Sequence, residues 1–144
     1  MLCRRTFIAQ VTAGTAAMSF VRPSAVAAPE HPQLKWYDAA VEMRSLAESW
    51  GDQGYGAVLV ASGAVVGHGP SRVVKDRNPD AHSERVAILD AQQRLGRENL
   101  AGSVLYSTSR PCLLCEAAAF RAGVSRMYFG SALQDAGPPA GQAR

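Results

Sequence analysis

The sequence predicts a layered α/β domain on a mixed sheet, with a hairpin near its start and parallel crossovers after it. Three observations predict this. Apolar residues recur at helical spacing in some segments and run without interruption in others. Glycine and proline stand at the junctions between those segments. The segments then alternate in the order α, β, β, α, β, α, β. With 144 residues and 47% hydrophobic content, the chain suits one domain with a sizeable core, and wholesale disorder is excluded.

Residues 28–35 include Pro29 and Pro32 and are expected to form a loose lead-in. Trp36, Ala39, Ala40, Met43, Leu46, Ala47 and Trp50 follow the i, i+3, i+4, i+7 rule of an amphipathic helix, with Trp36, Met43 and Trp50 as a packing stripe. Gly51-Asp52-Gln53-Gly54 breaks it. Tyr55 to Ala61 is a continuous apolar run, a buried strand, and Ser62-Gly63 is a hairpin turn into a second strand over Ala64–Gly69. Pro70 to Asp80 is polar and holds two prolines, a surface loop. A second helix is expected from Ala81 to Leu95, with Asp80 as candidate N-cap and Gly96 as stop. Ser103–Ser107 reads as a third strand. Pro111 opens a third helix that runs to Ala122 and ends at Gly123. Val124–Gly130 is a fourth strand. Residues 134–144 lack core-forming side chains and are expected to fray as a flexible tail.

Residues 1–27 have a positive start, a weakly apolar middle and a small-residue end. Arg4-Arg5-Thr6-Phe7-Ile8 resembles a twin-arginine export signal, and Ala25-Val26-Ala27 fits a small-x-small cleavage site, so cleavage is expected after Ala27 and a periplasmic location with it. The sixteen residues between Arg5 and Arg22 are interrupted by Gln10, Thr12, Thr15 and Ser19, short for a membrane span. No membrane association is expected after cleavage. Losing Arg4, Arg5 and Arg22 takes the basic count from 15 to 12, equal to the 12 acidic side chains. A neutral chain lacks the basic footprint that binding to phosphates needs, so no nucleic-acid partner is expected.

Cleavage would also remove Cys3 and leave Cys112 and Cys115. Two cysteines three residues apart at a helix start are a redox pair or metal ligands. His82-Ser83-Glu84 stands at a second, comparable position, where a loop turns into a helix. Cysteines at i and i+3 present both sulfurs to one ion, and His82 makes a third ligand. Zinc on three protein ligands keeps a fourth position open, the pattern of catalytic rather than closed structural sites. Glu84, two residues past His82, would hang beside that position and take a proton. His31 and His68 belong to no motif and read as surface residues.

His82-x-Glu84 followed by Pro111-Cys112-x-x-Cys115 resembles the signature of zinc deaminases. Over about residues 36–135 the chain resembles the cytidine/deoxycytidylate deaminase superfamily, nearest the branch of guanine deaminases and tRNA adenosine deaminases. Gly56-Ala57-Val58-Leu59-Val60 and Asn78-Pro79-Asp80-Ala81-His82-Ser83-Glu84 are part of the likeness. The resemblance implies a three-layer α/β/α sandwich with the deaminase domain over 36–133. It implies Zn2+ on His82, Cys112 and Cys115, and Glu84 as the catalytic proton carrier. It implies hydrolytic release of ammonia from a small nucleobase, nucleoside or related aminated heterocycle, with purine-type bases ahead of cytidine, and a homodimer. Ser71 and the Ala81 backbone would contact substrate. Two positions depart from the pattern: Arg110 replaces an acidic residue before Pro-Cys, and Ser71 stands where a base-reading Asn is usual. The 29 residues after Cys115 are also fewer than relatives carry. These departures support one alternative, a non-catalytic member stapled by zinc. An RNA-editing adenosine deaminase is the other, and the neutral charge and expected export argue against it.

Overall fold

The computed structural model of the chain describes residues 33–141. The expected signal segment over 1–27 and the start of the lead-in lie outside the described residues. Eight elements follow in order: α1 (Leu34–Ser49), β1 (Gly56–Ala61), β2 (Ala64–Pro70), α2 (Ser83–Leu95), β3 (Val104–Ser107), α3 (Leu113–Ala122), β4 (Arg126–Phe129) and β5 (Gln134–Gly137). No helix among the described residues is long and apolar enough to cross a membrane.

The strands form one mixed sheet in the order β2-β1-β3-β4-β5. β1 is antiparallel to both neighbours, from Gly56↔Pro70 on one side to Ala57↔Ser107 on the other. β2 and β3 therefore point the same way, with α2 crossing between them, and α3 joins β3 to its parallel neighbour β4. The hairpin and the parallel crossovers are as the sequence predicts.

Successive side chains of β1 point to opposite faces of the sheet, and both faces are covered. Ala57 and Leu59 pack with Leu105, Met127, Ala87, Ala91 and Ala119 beneath α2 and α3. Val58, Val60 and Tyr106 pack with Ala40, Trp36 and Met43 beneath α1. This is a three-layer α/β/α sandwich, with a continuous apolar β1 because both of its faces are covered. Trp50 departs from the expected stripe: it caps the C-terminus of α1, and its ring is covered by the Lys75 ammonium, 3.4 Å from the centroid. Glycines let the helices lie directly on the strands. A Cβ on Gly69 would stand 2.0 Å from the Ser83 carbonyl oxygen, and one on Gly67 2.2 Å from that of Ala87.

Three local expectations change. Both α2 and α3 start two residues later than predicted, because His82 and Cys112 are extended N-cap residues rather than helical ones. Asp80, the expected cap, instead pairs with Arg85 at 2.6 Å. The tail does not fray throughout: β5 pairs antiparallel with β4, and Asp135 forms an ion pair with Arg126. Beyond it, the Ala140 N–H donates to the Glu116 carboxylate on α3 at 3.0 Å. Backbone pairing holds this segment without the apolar side chains whose absence suggested disorder.

Candidate metal centre and active cleft

The centre forms where three strand ends meet. β2 and β3 deliver their C-terminal ends on either side of the N-terminal end of β1, and the loops there run into α2 and α3. The start of β1 is clipped to both. Ser71 N–H donates to the Tyr55 carbonyl at 3.0 Å, Thr108 N–H to the Gly56 carbonyl at 2.9 Å, and Gly56 N–H to the Thr108 hydroxyl at 3.1 Å.

His82 and Cys112 occupy equivalent N-cap positions on α2 and α3. The Cys112 sulfur caps its helix by accepting the Cys115 N–H at 3.3 Å. Helical spacing then turns Cys115 inward, while Leu113 and Leu114 face solvent. His82 Nδ1 lies 3.6 Å from Cys112 Sγ and 3.4 Å from Cys115 Sγ, and the two sulfurs are 3.1 Å apart. Tetrahedral zinc, with bonds of ~2.0–2.3 Å, separates its donors by ~3.5–3.8 Å. The nitrogen–sulfur edges lie close to this, and the sulfur–sulfur edge is shorter. Among the described residues, this His and two Cys make the one group of three or more His, Cys, Asp or Glu side chains close enough to share an ion. A soft donor set at two positive helix ends suits zinc. Burial pushes the Cys115 thiol well above its ordinary pKa, and the Glu84 charge beside it adds to the effect. Metal loading must displace that proton.

Glu84 is the second residue of α2 and only 4% exposed. Burial raises its carboxyl above the usual range. Hydrogen bonds from its own backbone N–H, the Ser83 hydroxyl and the Cys115 thiol work the other way and do not cancel the rise. The Ser83 hydroxyl, itself buried, donates to Glu84 Oε2 at 3.2 Å. A carboxyl whose pKa is raised by burial and which is held by a neighbouring hydroxyl is suited to take up a proton and give it back.

The cleft over these groups has a volume of about 380 Å³. Its lining includes His82, Ser83, Glu84 and Cys112 from the motifs, with Gln53, Tyr55, Ser109 and Arg110 as additional walls. Tyr55 is 46% exposed, and the Arg110 guanidinium lies over the Phe129 ring, 5.8 Å from the centroid. Gln53 and Tyr55 carry no motif. Their one signal in the sequence is that they precede a buried strand whose neighbours end in the two motifs.

The structure thus brings His82, Glu84, Cys112 and Cys115 together, and places the two remaining predicted residues elsewhere. Ser71 is 1% exposed, is absent from the cleft wall, and donates its hydroxyl to Asp52 Oδ1 at 3.0 Å. Ala81 is buried outside the cleft lining. Its N–H donates to the Asn78 carbonyl and its carbonyl accepts the Arg72 N–H, each at 3.0 Å. The Ser71 hydroxyl and the Ala81 backbone groups are thus engaged within the protein.

Comparison with known proteins agrees with this geometry. The tRNA-specific adenosine deaminase of Agrobacterium fabrum is 39% identical over 93 residues, which cover 65% of this chain and 60% of that protein. A solved structure from studies of A-to-I editing by tRNA:A34 deaminases at the wobble position of transfer RNA aligns with a TM-score of 0.65 at 32% identity, over 67% of this chain and 75% of the other. The structure of guanine deaminase from Bacillus subtilis aligns with a TM-score of 0.64 at 29% identity, over 67% of this chain and 62% of the other. The chain spans about 60% of the length of such curated relatives as the Agrobacterium protein. Residues 31–131 match the zinc-binding region of cytidine and deoxycytidylate deaminases. With that match over most of its length and the His82, Cys112 and Cys115 centre in place, the chain belongs to the cytidine and deoxycytidylate deaminase family.

Proposed function

We propose that the protein is a zinc-dependent hydrolytic deaminase of a small aminated heterocycle, a nucleobase or nucleoside with purine types ahead of cytidine. The observation that carries this reading is the buried carboxylate of Glu84, set beside three metal ligands in a cleft of about 380 Å³. That volume lies in the range of small-molecule sites. A zinc ion that served only to staple the fold would need no general acid–base group at its side.

Zinc on His82 Nδ1 and the two sulfurs would supply a Lewis acid that makes water a competent nucleophile near neutral pH. The side chains do the rest. Glu84 accepts a proton from the attacking water as the new C–O bond forms at the amidine carbon. It passes that proton to the ring nitrogen, then takes the second proton from the newly added hydroxyl as the C=O forms and gives it to the exocyclic amine, whose C–N bond breaks to release ammonia. The Ser83 hydroxyl keeps the carboxylate oriented through these transfers. Tyr55 offers an exposed ring face for stacking on the base, and Gln53 an amide that can read its edge. Arg110 borders the same opening.

The test is ammonia release by the zinc-loaded protein from guanine, adenine, cytosine, their nucleosides and a tRNA anticodon stem-loop, side by side. Turnover of a free base or nucleoside is the expected result. The stem-loop is included because the tRNA-specific relative shares 39% identity. Deamination of the stem-loop alone would replace the small-molecule reading with RNA editing, and silence on every substrate would leave the zinc-stapled alternative. Export belongs to the same proposal: changing Arg4 and Arg5 to Lys should retain the precursor inside the cell. So does the homodimer, which sedimentation of the purified protein would test.

A further inference from the structure

The loop from Ser71 to Ala81 carries the chain from the end of β2 to His82, so its position sets the position of that ligand. It is held at both ends. At its far end, Arg72 N–H donates to the Ala81 carbonyl and Ala81 N–H to the Asn78 carbonyl, while Asn78 N–H donates to the Val73 carbonyl, all at 3.0 Å. At its near end three hydrogen bonds converge on one residue. Asp52 Oδ1 accepts the Ser71 hydroxyl at 3.0 Å, and Asp52 Oδ2 accepts the N–H groups of Val74 at 2.9 Å and Lys75 at 2.8 Å. Asp52 also accepts the N–H of Gln53 at 2.7 Å, and Gln53 and Tyr55 form a wall of the cleft. These hydrogen bonds favour the carboxylate. They hold its pKa below the usual range although desolvation, the largest single influence, acts the other way. The Lys75 ammonium over the Trp50 ring adds a second clamp between the same two segments.

We propose that Asp52 is the positioning residue of this site: one carboxylate fixes the Gln53–Tyr55 wall in register with the loop that delivers His82. Asp52 touches neither the metal ligands nor the cleft space. It acts through the Ser71 hydroxyl and the backbone N–H groups of Gln53, Val74 and Lys75. The residue that sequence reading assigned to substrate, Ser71, becomes part of this anchor. The metal part of the proposal rests on the His82 centre, and the turnover part on the deaminase reading.

The experiment compares Asp52→Ala and Asp52→Asn with wild type in the full chain, measuring zinc affinity by competition with a chromogenic chelator and, separately, KM and kcat for ammonia release. Asp90→Ala is the control. Asp90 likewise accepts a backbone N–H, that of His68 at 2.8 Å, but it lies within α2, eight residues beyond His82, and anchors no part of the Ser71–Ala81 loop. Asp52→Ala should weaken zinc about 10–100-fold, the usual cost of removing a group that orients a metal ligand. It should also raise KM by more than it lowers kcat, since the displaced wall contacts substrate. Asp52→Asn keeps an acceptor oxygen for Val74 and Lys75 and should recover part of both effects. Zinc affinity equal to wild type in Asp52→Ala would overturn the proposal. So would an equal loss in Asp90→Ala, which would reduce the effect to general destabilisation. Should Asp52→Ala not fold, Asp52→Asn decides alone, and unchanged zinc affinity and KM there overturn the proposal. If wild type deaminates nothing, the deaminase reading fails while the zinc comparison still judges Asp52.

Discussion

Replacing Glu84 with Gln should separate the chemistry of the site from its architecture. Gln has nearly the same shape, so the side chain can stay in its pocket, and Ser83 Oγ, 3.2 Å from the carboxylate oxygen, can still hydrogen-bond to it. It cannot accept the proton of the attacking water. A positioned general acid–base group contributes about 10²–10⁴-fold, or about 2.7–5.5 kcal/mol of barrier. In the proposed mechanism Glu84 acts at more than one proton transfer, so the upper end of that range is expected. Stability should move the other way. The carboxylate is 4% exposed and its pKa is raised chiefly by burial, so its charge costs the folded state something that a neutral amide does not. The variant should therefore unfold at the same temperature as wild type or higher, with zinc content unchanged. The assay is initial ammonia release at saturating heterocycle, with zinc measured by atomic absorption and unfolding followed by circular dichroism. A rate within a few-fold of wild type would refute the assignment of Glu84, and the deaminase mechanism with it.

Other outcomes follow from the same structure. Cys115→Ser should lose zinc and melt earlier, because metal binding and folding are linked; full metal occupancy by elemental analysis would contradict the ligand set. Gly69→Ala should cost about 3 kcal/mol or more in urea unfolding, since its Cβ meets the Ser83 carbonyl oxygen at 2.0 Å and backbone cannot give way cheaply. The same change should lower activity, because Ser83 lies between His82 and Glu84. Acid sensitivity has a definite sign. Asp52 and Asp90 have folded pKa values below their unfolded ones, because hydrogen bonds to the carboxylates outweigh desolvation. Their contribution is present above about pH 4 and is lost as pH falls through the folded values, so Asp52→Asn and Asp90→Asn should each flatten the decline of stability in acid.

Most of the fold was legible because its signals are local. The helical spacing in α1, the uninterrupted run of β1, the Ser62-Gly63 turn and the glycine stops after α2 and α3 each lie within a few residues of the element they define. Helix starts were two residues off because the caps are a histidine and a cysteine, which propensity does not mark as caps. β5 was missed because its residues, Gln134 to Gly137, bury little, and the strand exists by pairing with β4.

The sequence by itself marked the candidate chemistry: a histidine with a carboxylate two residues on, and a pair of cysteines three apart, each pair with its spacing fixed within a single helix start. Only the tertiary structure decided what surrounds that chemistry. The cleft sets Gln53 and Tyr55 beside His82 and Cys112, and the withdrawal of Ser71 into an anchor and the convergence of the loop on Asp52 join residues 19 to 23 positions apart. Ligand spacing is a property of local backbone geometry. The shape of a cleft is a property of which strands lie side by side, and no periodicity in the chain records that.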